Sequence, residues 1–191
     1  MIDQQKILQT FRQHFHYSGE VTVDRDGLIS CTKDVKLSRT YQGDRLPCAF
    51  KKVDGRFSCS NSRLQTLVGA PLHVGLSFSC SNSQLKTLQG APRACRDFFV
   101  QENQLDTLKG GPHDVRGNYW CYNNPLTSLE GIAHHIGEQF WCDFTPDLGL
   151  LRILATGSKD FYDKDYAQRR PITIINKYLE MGGGWNRMVP C

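Results

Sequence analysis

The 191-residue chain fits one domain or one repeat stack with its ends, and carries 23 Lys+Arg against 19 Asp+Glu, net +4. By segment the balance is +3 over 1–56 (10 minus 7), −2 over 57–147 (6 minus 8) and +3 over 148–191 (7 minus 4), too dispersed for a dedicated DNA-binding surface. No apolar run reaches the ~18 residues of a membrane span and no signal-peptide pattern opens the chain, so a soluble, cytoplasmic protein without membrane contact is expected.

Residues 3–16 predict an amphipathic helix. Ile7, Phe11 and Phe15 recur at four-residue steps, Asp3 suits the N-cap and Gly19 the stop. Val21 and Val23 alternate with polar residues, Arg25-Asp26-Gly27 signals a turn, and Leu28, Ile29 and Cys31 follow, which predicts a hairpin. Residues 1–34 would form an N-terminal helix and hairpin cap, since an open repeat stack must cover its end. A partner-binding helix is the other reading of that segment.

From Phe57 the sequence repeats itself. Phe57, Phe78, Phe98, Tyr119 and Phe140 form one column, and Cys59, Cys80, Val100, Cys121 and Cys142 another two residues later. Leu64, Leu85, Leu105 and Leu126 follow at spacings of 21, 20 and 21, then Leu67, Leu88, Leu108 and Leu129, then Gly69, Gly90, Gly110 and Gly131. Pro71, Pro92 and Pro112 mark a turn. Fixed columns at this period mean a solenoid, whose units bury their apolar faces only against each other. Apolar pairs at i, i+2 have the strand period, so each repeat is expected to give one short parallel strand, two inward leucines and a Gly/Pro return. Val35 and Leu37 match Phe57 and Cys59 at a spacing of 22 and predict a degenerate first rung. That makes about six rungs over 35–147, spanning roughly 24 Å at ~4.8 Å per strand.

Residues 148–191 are expected to form a C-terminal helical cap: a short helix from Leu148 to Gly157, a polar loop over 158–170, and a second helix from Pro171 to about Met181.

The repeat resembles the leucine-rich repeat, L-x-x-L-x-L-x-x-N-x-L, over roughly 35–142. The asparagine column of that family reads Ser62, Ser83, Asn103 and Asn124 here, so half the bends carry a shorter substitute. The F-x-C-S-N-x-x-L-x-x-L-x-G-A-P variant is similar to leucine-rich repeat proteins of bacteriophages and prophages. The resemblance implies an α/β solenoid that binds a protein partner on its strand face, in a phage or prophage accessory protein that engages, and on one reading inhibits, a bacterial host protein.

With Phe78 and Cys80 inward, alternate residues face outward. The middle outward column is Ser58, Ser79, Phe99, Trp120 and Trp141. Beside it run Ser60, Ser81, Gln101, Tyr122 and Asp143, and on the other side Arg56, Ser77, Asp97, Asn118 and Gln139. Phe99, Trp120, Tyr122 and Trp141 predict a contiguous aromatic patch, rimmed by Asp97, Asn118, Gln139 and Asp143. Such patches mark interfaces, and Trp and Tyr dominate binding energy. The alternatives are coverage by the chain's own C-terminal segment, a homodimer, or a one-residue slip that would invert every side chain.

Eight cysteines invite a disulfide or metal reading. Cys59, Cys80, Cys121 and Cys142 share a column with Val100, and Cys95 shares one with Val74, Val115 and Ile136, so buried free thiols are expected instead. No C-x-x-C pair suits zinc. His73, His113, His134 and His135 lie in the returns and read as loop histidines. No G-x-S-x-G, Walker A, H-E-x-x-H or G-x-G-x-x-G is present, so neither enzyme chemistry nor a cofactor is expected. Single-stranded nucleic acid could stack on the aromatic face, with Lys159, Lys164, Arg169 and Arg170 as the basic element. The Asp/Asn/Gln rim favours a protein partner.

Overall fold

A chain that presents an apolar pair every 20 or 21 residues can bury those pairs only by stacking them. In the computed structural model it does so as a β-solenoid of about five turns of stacked parallel strands, with one helix among the described residues. The structure describes residues 2–143 and, beyond them, the backbone of two short strands at 160–162 and 168–169. Both predicted C-terminal helices lie outside the described residues.

Helix α1 (Gln4–His14) starts at Asp3, whose carboxylate accepts from the Lys6 N–H at 3.0 Å. It ends earlier than expected. Phe15 leaves the helix and opens β1 (Phe15–Tyr17), yet stays buried against Phe11 and Phe50. The predicted hairpin forms from β2 (Val21–Val23) and β3 (Ile29–Cys31), with Val21 opposite Cys31 and Val23 opposite Ile29. At its turn the Asp24 carboxylate accepts from the Asp26 and Leu28 N–H groups. The Leu28 bond above all holds the Asp24 carboxyl below the usual carboxylate range.

Two sheets run down the stack. One contains β1 antiparallel to β4 (Val35–Leu37), then the parallel strands β6 (Phe57–Ser58), β8 (Ser77–Ser79), β10 (Asp97–Phe99), β12 (Tyr119–Trp120) and β14 (Gln139–Trp141). Val35 pairs with Phe57, so the degenerate first rung stacks as the spacing predicts. The second sheet corrects the expectation of one strand per repeat. It holds β5 (Phe50–Val53), β7 (His73–Val74), β9 (Ala94–Cys95), β11 (Asp114–Val115) and β13 (His135–Ile136), with β3 and β2 at its edge. Two-residue strands are too short to show alternation, but their inward members are the column Val53, Val74, Cys95, Val115 and Ile136, all buried.

The segment 158–170, expected as a loop, contains β15 (Asp160–Tyr162) and β16 (Gln168–Arg169). β15 pairs in parallel with β14, setting Phe161 beside Phe140 and Tyr162 beside Trp141. The signal was present: Phe161 follows Phe140 by 21 residues, but the polar residues around it hid the period.

The core is a set of ladders. Phe57, Phe78 and Phe98 stack nearly parallel, with centroids 5.6 and 5.4 Å apart. Tyr119 turns edge-on between Phe98 and Phe140. Its hydroxyl is buried without a hydrogen-bond partner among the described residues, and burial pushes its pKa well up. Cys59, Cys80, Val100, Cys121 and Cys142 are all fully buried. The seven described cysteines are free thiols, and burial drives Cys95 up to about 12. Such thiols are packing groups rather than nucleophiles.

The bends differ between rungs. Asn103 accepts from Leu85 N–H at 3.0 Å and donates toward the Cys80, Val100 and Gln101 carbonyls. Asn124 repeats this for Leu105 N–H and the Val100 and Cys121 carbonyls. Ser62 and Ser83 reach each other, 3.0 Å apart, and nearby backbone, and the Ser83 hydroxyl also accepts from the Cys80 thiol at 3.8 Å. The return needs a left-handed residue where the backbone of adjacent rungs nearly touches. Gly90 has φ +91°, and a Cβ there would lie 2.5 Å from the Leu67 carbonyl oxygen.

Candidate functional site

Strand alternation places the predicted outward columns as expected. Phe57, Phe78, Phe98, Tyr119 and Phe140 are buried, while Ser58, Ser79, Phe99, Trp120 and Trp141 between them are half-buried on the sheet's other face. Register pairing sets Ser79 beside Phe99, Phe99 beside Trp120, and Trp120 beside Trp141. A one-residue slip, which would have put the tryptophans in the core, does not occur.

The four predicted aromatics touch. Phe99 and Trp120 have centroids 4.7 Å apart, Trp120 and Trp141 meet edge-to-face at 5.4 Å, and Tyr122 lies 4.4 Å from Trp141. Ring pairs at these separations favour each other by ~1 kcal/mol beyond the area they bury. The patch is therefore held in shape before anything binds it. Trp120 Nε1 and Gln101 Oε1, in neighbouring columns, are each buried with no hydrogen-bond partner among the described residues.

The polar rim is partly committed to the scaffold. Asp97 accepts from the Asn118 N–H at 3.0 Å, from Asn118 Nδ2 at 3.1 Å and from the Ser77 hydroxyl at 2.9 Å. The Asp143 carboxylate accepts from the Asn123 N–H at 2.7 Å. These two carboxylates satisfy rung-to-rung backbone, so they do more to order the strands than the sequence suggested. Gln139 begins β14 and is half-buried.

Sequence reasoning missed the other end of the row. β1 is antiparallel and not part of the period, yet it pairs with β4 and sets His16 beside Lys36. One continuous outward row thus runs His16, Lys36, Ser58, Ser79, Phe99, Trp120, Trp141, with Tyr162 at the next register position. No repeat signal could place His16 there.

The return histidines are exposed, and His113 and His134 lie on adjacent rungs with rings 5.2 Å apart. Among the described residues no group of three or more His, Cys, Asp or Glu is placed to hold a metal ion, and no helix is long and apolar enough to cross a membrane. Compared with family models, with curated proteins and with solved structures, the chain finds no match in any of the three.

Proposed function

We propose that this is a non-enzymatic protein-binding module of leucine-rich-repeat type, with its partner on the aromatic strand face. One observation carries the reading: Phe99, Trp120 and Trp141 stand in register on neighbouring strands, with Tyr122 against Trp141, forming one contiguous surface. Aromatic anchors of this kind supply most of the energy of protein interfaces, ~2 kcal/mol or more each on truncation. The leucine-rich-repeat assignment is supported by the period and by buried Asn103 and Asn124 at the bends. In this reading α1 caps the stack, its Phe11 buried against Phe15 and Phe50. The likeness of the repeat to phage and prophage proteins supports an accessory role in which a bacterial host protein is engaged and, on one reading, inhibited.

The test is a pull-down from bacterial lysate with the wild-type chain and with Trp120→Ala/Trp141→Ala. Both are checked by circular dichroism and by size in solution. A partner held by wild type and lost by the folded variant supports the proposal. A folded variant that merely turns from dimer to monomer makes the patch a self-association surface. A variant that unfolds makes it core, and the site assignment fails.

A further inference from the structure

At the opposite end of the aromatic row lies a cavity of about 430 Å³, lined by His16, Lys36, Leu37, Ser38, Arg39 and Thr40. His16, Lys36 and Arg39 are all exposed, and no carboxylate lines the cavity. None of the three forms an ion pair among the described residues, whereas Lys51, Lys52 and Lys109 each do. Antiparallel pairing of β1 with β4 holds His16 directly beside Lys36, so the cavity gathers nitrogen-bearing side chains with no carboxylate among them. The Ser38 and Thr40 hydroxyls, hydrogen-bonded to each other at 2.8 Å, leave one neutral donor at the same place. Phosphate and carboxylate are the groups this chemistry accepts.

Position decides between them. Single-strand nucleic-acid binders interleave stacking aromatics with the cations that track the backbone. Here Ser58 and Ser79 separate Lys36 from Phe99. Three rung steps make that distance roughly 14 Å. Among the described side chains, the aromatic contacts and the His16/Lys36/Arg39 contacts stand at opposite ends of the row. The columns flanking Phe99, Trp120 and Trp141 read Asp97, Asn118 and Gln139 on one side and Gln101, Tyr122 and Asp143 on the other, so a strand stacked there would meet no Lys or Arg from these columns beside its own phosphates. An extended polypeptide advances ~3.4 Å per residue, so it crosses the serine rungs in about four residues.

We infer that the strand face takes a two-part acidic protein segment: an apolar anchor on Phe99, Trp120 and Trp141, and a carboxylate-rich run about four residues away in the His16/Lys36/Arg39 cavity. This rests on the aromatic-face proposal and specifies its partner's chemistry.

The test is peptide display against the full-length chain, with selected peptides then measured on wild type, Lys36→Glu/Arg39→Glu, the milder Lys36→Gln/Arg39→Gln, and Trp120→Ala/Trp141→Ala. A labelled dT20 oligonucleotide serves as the nucleic-acid probe. The expected result is enrichment of peptides with an acidic cluster some four residues from an aromatic or aliphatic cluster. Their affinity falls at least tenfold on both the cavity and the tryptophan variants, and added salt weakens the acidic half selectively. Enriched peptides that are apolar only, lost on the tryptophan variant and indifferent to both cavity variants, overturn this inference and leave the aromatic-face proposal standing. Acidic peptides indifferent to Trp120→Ala/Trp141→Ala overturn both. Tighter binding of dT20 than of any peptide, lost on the cavity variants, replaces the acidic segment with nucleic acid. No enrichment over background overturns it as well.

Discussion

The two halves of the solenoid share a backbone and differ in what hangs from it. In the half built on β6 and β8, the bends carry Ser62 and Ser83 and the outward row carries Ser58 and Ser79. In the half built on β10, β12 and β14, the bends carry Asn103 and Asn124 and the outward row carries Phe99, Trp120 and Trp141. Inside, parallel-stacked phenylalanines give way to an edge-on Tyr119. The inward columns stay apolar or aromatic in both halves, with Phe or Tyr, Cys or Val, Ile and Leu, because every rung must bury the same stripe. The outward columns have no such constraint. A half whose outer face changes from serine to tryptophan without altering the fold is the half to which the proposed function assigns the partner.

The largest break in that comparison should come at the bends. Asn103→Ala takes the side-chain partner from the buried Leu85 N–H and the Cys80 carbonyl and one of the two side-chain donors from the Val100 carbonyl, so a loss of about 3 kcal/mol in urea unfolding is expected. Ser83→Ala removes a weaker, half-exposed hydroxyl contact and should cost about 1 kcal/mol. Equal losses would mean the two halves are not held differently.

A smaller effect should appear at high pH. Burial raises the Cys95 thiol from 9.0 to about 12, and Cys59, Cys121 and Tyr119 also lie well above their ordinary values. These groups stay neutral in the fold but ionise in the unfolded chain. Stability is therefore intact below about pH 9 and declines as pH rises from there toward 12, with the Cys95 thiol accounting for about 1.4 kcal/mol by pH 10. Cys95→Val should flatten the decline in a pH series of thermal melts. An unchanged slope would show that Cys95 is not the buried thiol described here.

The smallest expected change is a gain. Asn61, Asn82 and Asn123 adopt left-handed φ of 58°, 48° and 54°, and Glu102 takes the same conformation at 59°. Asparagine tolerates that region better than glutamate. Asn82 also donates to the Asn61 side chain at 2.8 Å, a ladder that Glu102 interrupts. Glu102→Asn should raise stability by about 0.5–1 kcal/mol in chemical denaturation. A loss would show that Glu102 is held by something more than its backbone.

The stacked rungs, the buried Cys/Val column and the outward position of Phe99, Trp120 and Trp141 were all legible in the sequence, because each follows from a 20- or 21-residue period combined with a strand's alternation of two. The hairpin at 21–31 was legible from its turn residues. The second sheet was not, because strands of two residues carry no period. β15 was missed because polar neighbours mask the recurrence of Phe161, and β1 because Phe15 fits the helical pattern until pairing with β4 claims it.

The sequence by itself determined the solenoid, its repeat length, which face is core and which aromatics stand outside it. Those are periodic properties, set by local geometry and burial of an apolar stripe. Tertiary structure alone decided that Asp97 and Asp143 serve neighbouring backbone, that Trp120 and Gln101 bury polar atoms unmatched among the described residues, and that His16, Lys36 and Arg39 converge at the far end of the aromatic row. Those depend on pairing between segments that share no period, where nothing in the spacing of residues says which strand will lie beside which.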